Sequence, residues 1–259
     1  MAIITFTSDL GSNSHYPALV KGVMLSRSPD TLIVDVTHAI ASFDIMEAAY
    51  VVKHMFKTFP PGTIHLVAVD PYVNEEAEGV VVAYQDHFFI GPNNGLLYLI
   101  GGNSSCCVSI VNPEVIAEEF PRSFRAARLY GPAAAFLANG GAMENLGEEK
   151  VLRDLHWGAP SYTGNCLRGK IIHIDKFGNA ITNIRKEEFL ELKDGRRFEI
   201  FIRNVRLKRI VNTYADVGKA DALAIFGGSK HLEIAMREAS AAELLGLKVH
   251  DMITIEFSK

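Results

Sequence analysis

Long hydrophobic runs are absent from the 259 residues: no apolar stretch approaches the ~18 residues that a membrane-spanning helix needs. The opening Met1-Ala2-Ile3-Ile4-Thr5 carries no basic residue, so it does not read as a secretory leader. Cysteine is scarce. Cys106, Cys107 and Cys166 are an odd count with two adjacent, which suits neither a disulfide framework nor a spaced zinc site. A reducing, cytoplasmic location is the expectation. The histidines lack metal-ligand spacing, so no metal is expected. No Gly-x-Gly-x-x-Gly follows a strand-like run and no Gly-x4-Gly-Lys-Ser/Thr loop exists, which removes the two common phosphate cradles. The formal net charge of −4 carries no overall nucleic-acid footprint.

What remains is an average globular composition, 48% hydrophobic and 22% charged, long enough for one large domain or two smaller ones. Charge is split along it. Residues 1–150 hold 8 Lys/Arg against 16 Asp/Glu, a net of −8, and residues 151–259 hold 18 against 14, a net of +4. Strand-like and helix-like stretches alternate through the first half: strands at 3–7, 31–34, 63–69, 79–84 and 88–90, helices at 16–25, 43–56 and 128–138. That alternation predicts an α/β domain with a mostly parallel sheet over 1–150. Gly, Pro and charged residues then break the periodicity, giving a linker at 151–165. Short strands at 170–174, 198–202, 222–226 and 252–257 predict a smaller β-rich domain over 166–259.

Ligands of parallel sheets bind beyond the carboxyl ends of the strands. Four predicted strands empty there into polar groups: Ser8-Asp9, Asp35-Val36-Thr37-His38, Asp70-Pro71 and Pro92-Asn93-Asn94. Asp9 and Asp35 are unsuited to phosphate but suit a ribose diol or a cation, so a nucleoside fits better than a nucleotide. In the second half, Asp175-Lys176-Phe177-Gly178-Asn179 follows a strand and offers a carboxylate, a ring and an amide. Taken alone it is equally an ordinary turn. The basic stretch Arg203, Arg206, Lys208, Arg209 has no nucleic-acid motif beside it and reads as a solvated face.

In order along the chain, Ser8-Asp9-Leu10-Gly11, Val34-Asp35-Val36-Thr37-His38, Phe59-Pro60-Pro61-Gly62-Thr63, Val69-Asp70-Pro71, Pro92-Asn93-Asn94-Gly95, Asp175 to Asn179 with Thr182-Asn183, and Leu232-Glu233-Ile234-Ala235 resemble the S-adenosylmethionine hydroxide adenosyltransferase family. These are relatives of the adenosyl-fluoride and adenosyl-chloride synthases, and the resemblance spans nearly the whole chain. It implies an α/β domain joined to a β-barrel-like domain, in a homotrimer that holds S-adenosylmethionine between one subunit's first domain and its neighbour's second. It implies hydrolysis to adenosine and L-methionine by water attack at the ribose C5′, with no cofactor, no membrane and no nucleic acid. Asp9 would bind the ribose and Asp175 with Asn179 the methionine end. Phe177 would line the pocket, and the loop of Arg237, Ala239 and Ala241 would meet the adenine edge. Asp35, Tyr72, Asn93 and Asn94 complete the expected substrate contacts.

The family activates its water with an Asp, an Arg and a His. Here only the Asp remains, as Asp70; the Arg position is Ala77, and the His position is Arg125. Tyr72 and Asn74 stand where the family has glycines, and Asn93 replaces an Asp. Two readings stay open. Arg125 pairs with Asp70 and keeps water activation alive in altered form, or it merely neutralises Asp70 and leaves a binding protein. Of the histidines near this edge, His15 is the best substitute base. His38 reads as making a local hydrogen bond, and His65, five residues before Asp70, as pointing to the other face.

Overall fold

The computed structural model describes residues 1–69, 79–102 and 106–258, and divides into two compact units, Met1–His156 and Trp157–Lys259. The first unit contains β1 (Ile3–Ser8), α1 (Tyr16–Arg27), β2 (Leu32–Thr37), α2 (Ile45–Met55), β3 (Ile64–Ala68), β4 (Gly79–Tyr84) and β5 (His87–Pro92). α3 (Leu96–Gly101), β6 (Cys106–Ser109) and α4 (Gly131–Ala138) follow. Ile4, Phe6, Leu66 and Ile90 on one sheet face pack with Val20 and Met24 of α1 and Ala133 and Leu137 of α4. On the other face, Thr5 and His65 lie beneath Phe56, at the end of α2.

The expected α/β layering is present, and its sheet is mixed. In the order β2-β1-β3-β5-β4-β6, the pairs β1–β2, β1–β3 and β3–β5 are parallel, but β4–β5 and β4–β6 are antiparallel, so the sheet is mixed. The cause is local. Only Gln85 and Asp86 separate β4 from β5, both with positive φ (48° and 61°). Two residues in that conformation make a hairpin turn, whereas a parallel crossover needs a dozen or more.

The second unit contains β7 (Ser161–Thr163), β8 (Cys166–Ile174), β9 (Ala180–Arg185), α5 (Lys186–Lys193), β10 (Arg197–Ile202), β11 (Val205–Leu207) and β12 (Ile210–Val211). It ends with β13 (Ala222–Phe226), β14 (His231–Met236), α6 (Ala241–Leu244) and β15 (Met252–Ser258). β7 lies inside the stretch expected as linker and pairs with β8. The strands run β11-β10-β15-β8-β9-β14-β13-β12, and β11 returns beside β13, so the sheet nearly closes into a barrel. Leu167, Ile171, Ile200, Ile234 and Ile255 fill it, with Phe189 of α5 packed among them.

Candidate functional site

At the strand ends of the first unit, β1, β2, β3 and β5 bring Asp9, His38, Val69 and Asn93 to one edge. Asp70, Tyr72 and Ala77 lie outside the described residues. Ser8 Oγ and His38 Nδ1 are 2.8 Å apart, and His38 Nε2 lies 3.1 Å from Asp35 Oδ1. The Lys21 ammonium of α1 sits 2.7 Å from the other Asp35 oxygen. Burial alone would raise Asp35, but hydrogen bonds from Lys21 and His38 outweigh it and hold the carboxyl below its ordinary value. Asp9 accepts the Phe43 amide at 2.9 Å.

Asn93 and Asn94 serve the main chain. Asn93 donates to the Val151 carbonyl (3.1 Å) and accepts the Arg153 amide (2.8 Å). Asn94 donates to the Val69 carbonyl (3.2 Å) and accepts the Leu96 amide (3.0 Å), a local turn just ahead of α3. Arg125 is half-buried and opens the π-helical turn Ala126–Tyr130 that runs into α4. His15 immediately precedes α1, with its ring 4.4 Å from that of Tyr16. His65 is fully buried, linked to Thr5 (2.7 Å) and His87 (3.2 Å). Burial, aided by the neighbouring His87, pushes His65 down to about 3.

The second unit holds a cavity of about 600 Å³ lined by Asp175, Phe177, Asn179, Tyr214, Met236, Glu238 and Ala239. Sequence reading supplied four of these, Asp175, Phe177, Asn179 and Ala239. The turn after β8 is self-bonded: Asp175 Oδ1 accepts the Phe177 and Asn179 amides and Oδ2 accepts Asn179 Nδ2, each at 2.9 Å. Gly178, at φ +79°, closes the turn, and a Cβ there would strike the Ser240 hydroxyl. Phe177, 77% exposed, and Tyr214 give the cavity two aromatic walls. The other two expected residues stand back from it. Arg237 donates to the Val217 carbonyl (2.9 Å), and Ala241 is buried at the start of α6.

The lining residues Tyr214, Met236 and Glu238, and Glu233 against Tyr214, escaped sequence reading. Tyr214 belongs to a 3₁₀ turn of three residues that carries no period to read, and its hydroxyl accepts a hydrogen bond from Asn179 at 3.4 Å. It also hydrogen-bonds to Glu233 of β14, which is 8% exposed. Burial, and then the negative charge of Asp175, push the Glu233 carboxyl up to about 7 against the opposing pull of the Tyr214 hydrogen bond. The one available signal was a carboxylate in an otherwise apolar strand, Leu232-Glu233-Ile234-Ala235.

The basic stretch is largely taken up by local partners. Arg203 pairs with Asp251 at 2.7 Å, Arg206 with Glu199, and Arg209 donates to the Asp216 carbonyl at 3.0 Å. Among the described residues no group of His, Cys, Asp and Glu is placed to hold a metal, and no helix is long and apolar enough to cross a membrane.

An α/β unit with polar strand ends, followed by a nearly closed β-sheet unit whose cavity combines aromatic walls with a carboxylate and an amide, has the build of a small-ligand protein. Residues 4–147 match the SAM hydroxide adenosyltransferase N-terminal domain and residues 169–254 its C-terminal domain. The chain belongs to that family. It is 31% identical to a Thermus thermophilus protein named (R)-S-adenosyl-L-methionine hydrolase, over 96% of this chain and 97% of the other. It is 27% identical to a Nocardia brasiliensis fluorinase, over 95% and 94%. A crystal structure of an uncharacterized conserved protein from Thermotoga maritima superposes with a TM-score of 0.89 at 28% identity, covering 97% of this chain and 99% of that one.

Proposed function

We propose that the protein binds S-adenosylmethionine and hydrolyses it to adenosine and L-methionine. The observation that carries the reading is the cavity beside β14, where the residues expected at the methionine end, Asp175 and Asn179, meet Ala239, expected at the adenine edge. The near-full-length likeness to a relative named as a hydrolase supports it. Water oxygen bonds to C5′ as the C5′–S bond breaks and its electron pair stays on sulfur. The water proton passes to a base or to solvent. A sulfonium leaves as a neutral thioether, so no acid is required, and the protein's task is to hold one water in line with that bond. In this reading Asp70 orients the water with Arg125 beside it, and Asp9 holds the ribose. The active form is a cytoplasmic homotrimer in which a neighbouring subunit completes each site.

The test is incubation with S-adenosylmethionine in ¹⁸O-water, with chromatography and mass spectrometry of the products. Adenosine carrying ¹⁸O at the 5′ position, formed above a no-protein control and reduced by about a hundredfold or more in Asp70→Ala, is the expected result. Tight binding without adenosine would overturn hydrolysis. Arg125→His with Ala77→Arg reads the role of Arg125: slower turnover than wild type means that Arg125 has become part of the machinery. Light scattering reports the trimer.

A further inference from the structure

Next to the cavity, against its lining residue Tyr214, lies a carboxyl group that the proposed reaction does not use. Leu232 and Ile234 of β14 point into the barrel core, so strand alternation turns Glu233 to the outer face. That face is covered, since Glu233 is only 8% exposed. The room it occupies depends on Gly227, where any Cβ would collide with the carboxyl. From there it reaches the Tyr214 hydroxyl, whose oxygen already accepts from Asn179 Nδ2. A phenol has one hydrogen to give. If the Glu233 carboxylate takes it, nothing on Tyr214 is left to offer a ligand.

We propose that Glu233 is a positioning residue that sets which way the Tyr214 hydroxyl donates. With its proton in place, Glu233 donates to Tyr214 Oη, and the phenolic hydrogen turns toward a ring-nitrogen acceptor of a bound adenine base. Without that proton, the carboxylate holds the phenolic hydrogen and the cavity loses its donor. Binding near neutrality then takes up a fraction of a proton from solvent. The inference rests on the reading that this cavity takes the adenosyl group, whose flat base suits the walls of Phe177 and Tyr214. The group is half-loaded near neutrality, being pushed up to about 7 by burial and by Asp175.

Other charged and titratable groups surround it. Asp175 and Tyr214 face it from the turns after β8 and β12. His231 lies two residues back on β14, with its Nδ1 3.1 Å from the Ser229 carbonyl. His173 of β8 stands in the same cross-strand row, beyond Ile181. Glu238 on the cavity rim is held by Lys219 at 3.0 Å and Arg237 at 3.5 Å. A single-site variant is therefore needed to assign any pH effect.

Adenosine is the probe, because it stays uncharged over roughly pH 5.5 to 8.5 and any slope belongs to the protein. Calorimetry of the full chain should show affinity falling about three- to tenfold as pH rises across that range, the worth of one hydrogen bond. The heat should vary with buffer ionisation enthalpy, reporting proton uptake. Glu233→Gln and Tyr214→Phe should each bind with the slope removed. A flat wild-type profile, or a slope that survives in Glu233→Gln, overturns the inference. If adenosine binds at no pH, the adenosyl reading of the cavity fails instead. The state of Glu233 is then read by carboxyl-carbon NMR titration of the ligand-free protein. A midpoint near neutrality that drops in Asp175→Asn supports proton loading, and one in the ordinary glutamate range overturns it.

Discussion

Gly227 and Glu233 depend on each other: the glycine supplies the space in which the carboxyl is buried. Gly227→Ala should therefore cost more than about 1 kcal/mol in urea unfolding, because the new methyl meets a buried, hydrogen-bonded group. Its neighbour is the control. Nothing lies within 4 Å of a Cβ at Gly228, so Gly228→Ala should leave the midpoint nearly unchanged. In the sequence, Gly227-Gly228 reads as a turn signal and no more. The Asp175 turn was legible for a different reason, since Asp, Gly and Asn at those spacings are residues whose side chains bond their own backbone. Tyr214 was not legible, because it sits in a three-residue 3₁₀ turn and its partners, Asn179 and Glu233, come from other parts of the chain.

At the scale of elements, β4 and β13 lie where the apolar runs put them, at Gly79–Tyr84 and Ala222–Phe226. β9 and α5 were missed for physical reasons. Thr182 and Asn183 make Ala180–Arg185 look like loop, and α5 buries only Phe189, too little to leave a stripe. The antiparallel part of the sheet follows from connection length: the runs 79–84 and 88–90 leave three residues between them, too few for a parallel crossover. Gln85 and Asp86 hold positive φ at the two turn positions where Asn and then Gly are preferred. Gln85→Asn with Asp86→Gly should stabilise the first unit by about 0.5–1 kcal/mol, read as a shift in its thermal transition.

Across the whole molecule, the two units carry buried groups of opposite acid response. His65 binds its proton at about 3 when folded against an ordinary 6.5, so its contribution is present above 6.5 and is lost as pH falls below that value. Glu233 runs the other way: raised from 4.5 to about 7, it contributes below 4.5 and loses that contribution as pH rises through 7. Between about pH 7 and pH 5 each is worth about 2 kcal/mol, with opposite sign. Calorimetry should show the transition of Met1–His156 falling relative to that of Trp157–Lys259 over this range, and His65→Phe with Glu233→Gln should bring the two back into step. The strand order of the second unit also sets a schedule. β15, made after every other described strand of this unit, lies between β10 and β8. The described strands of the first unit are complete long before then, whereas the barrel stays split, with two open edges inviting foreign strands, until β15 is made.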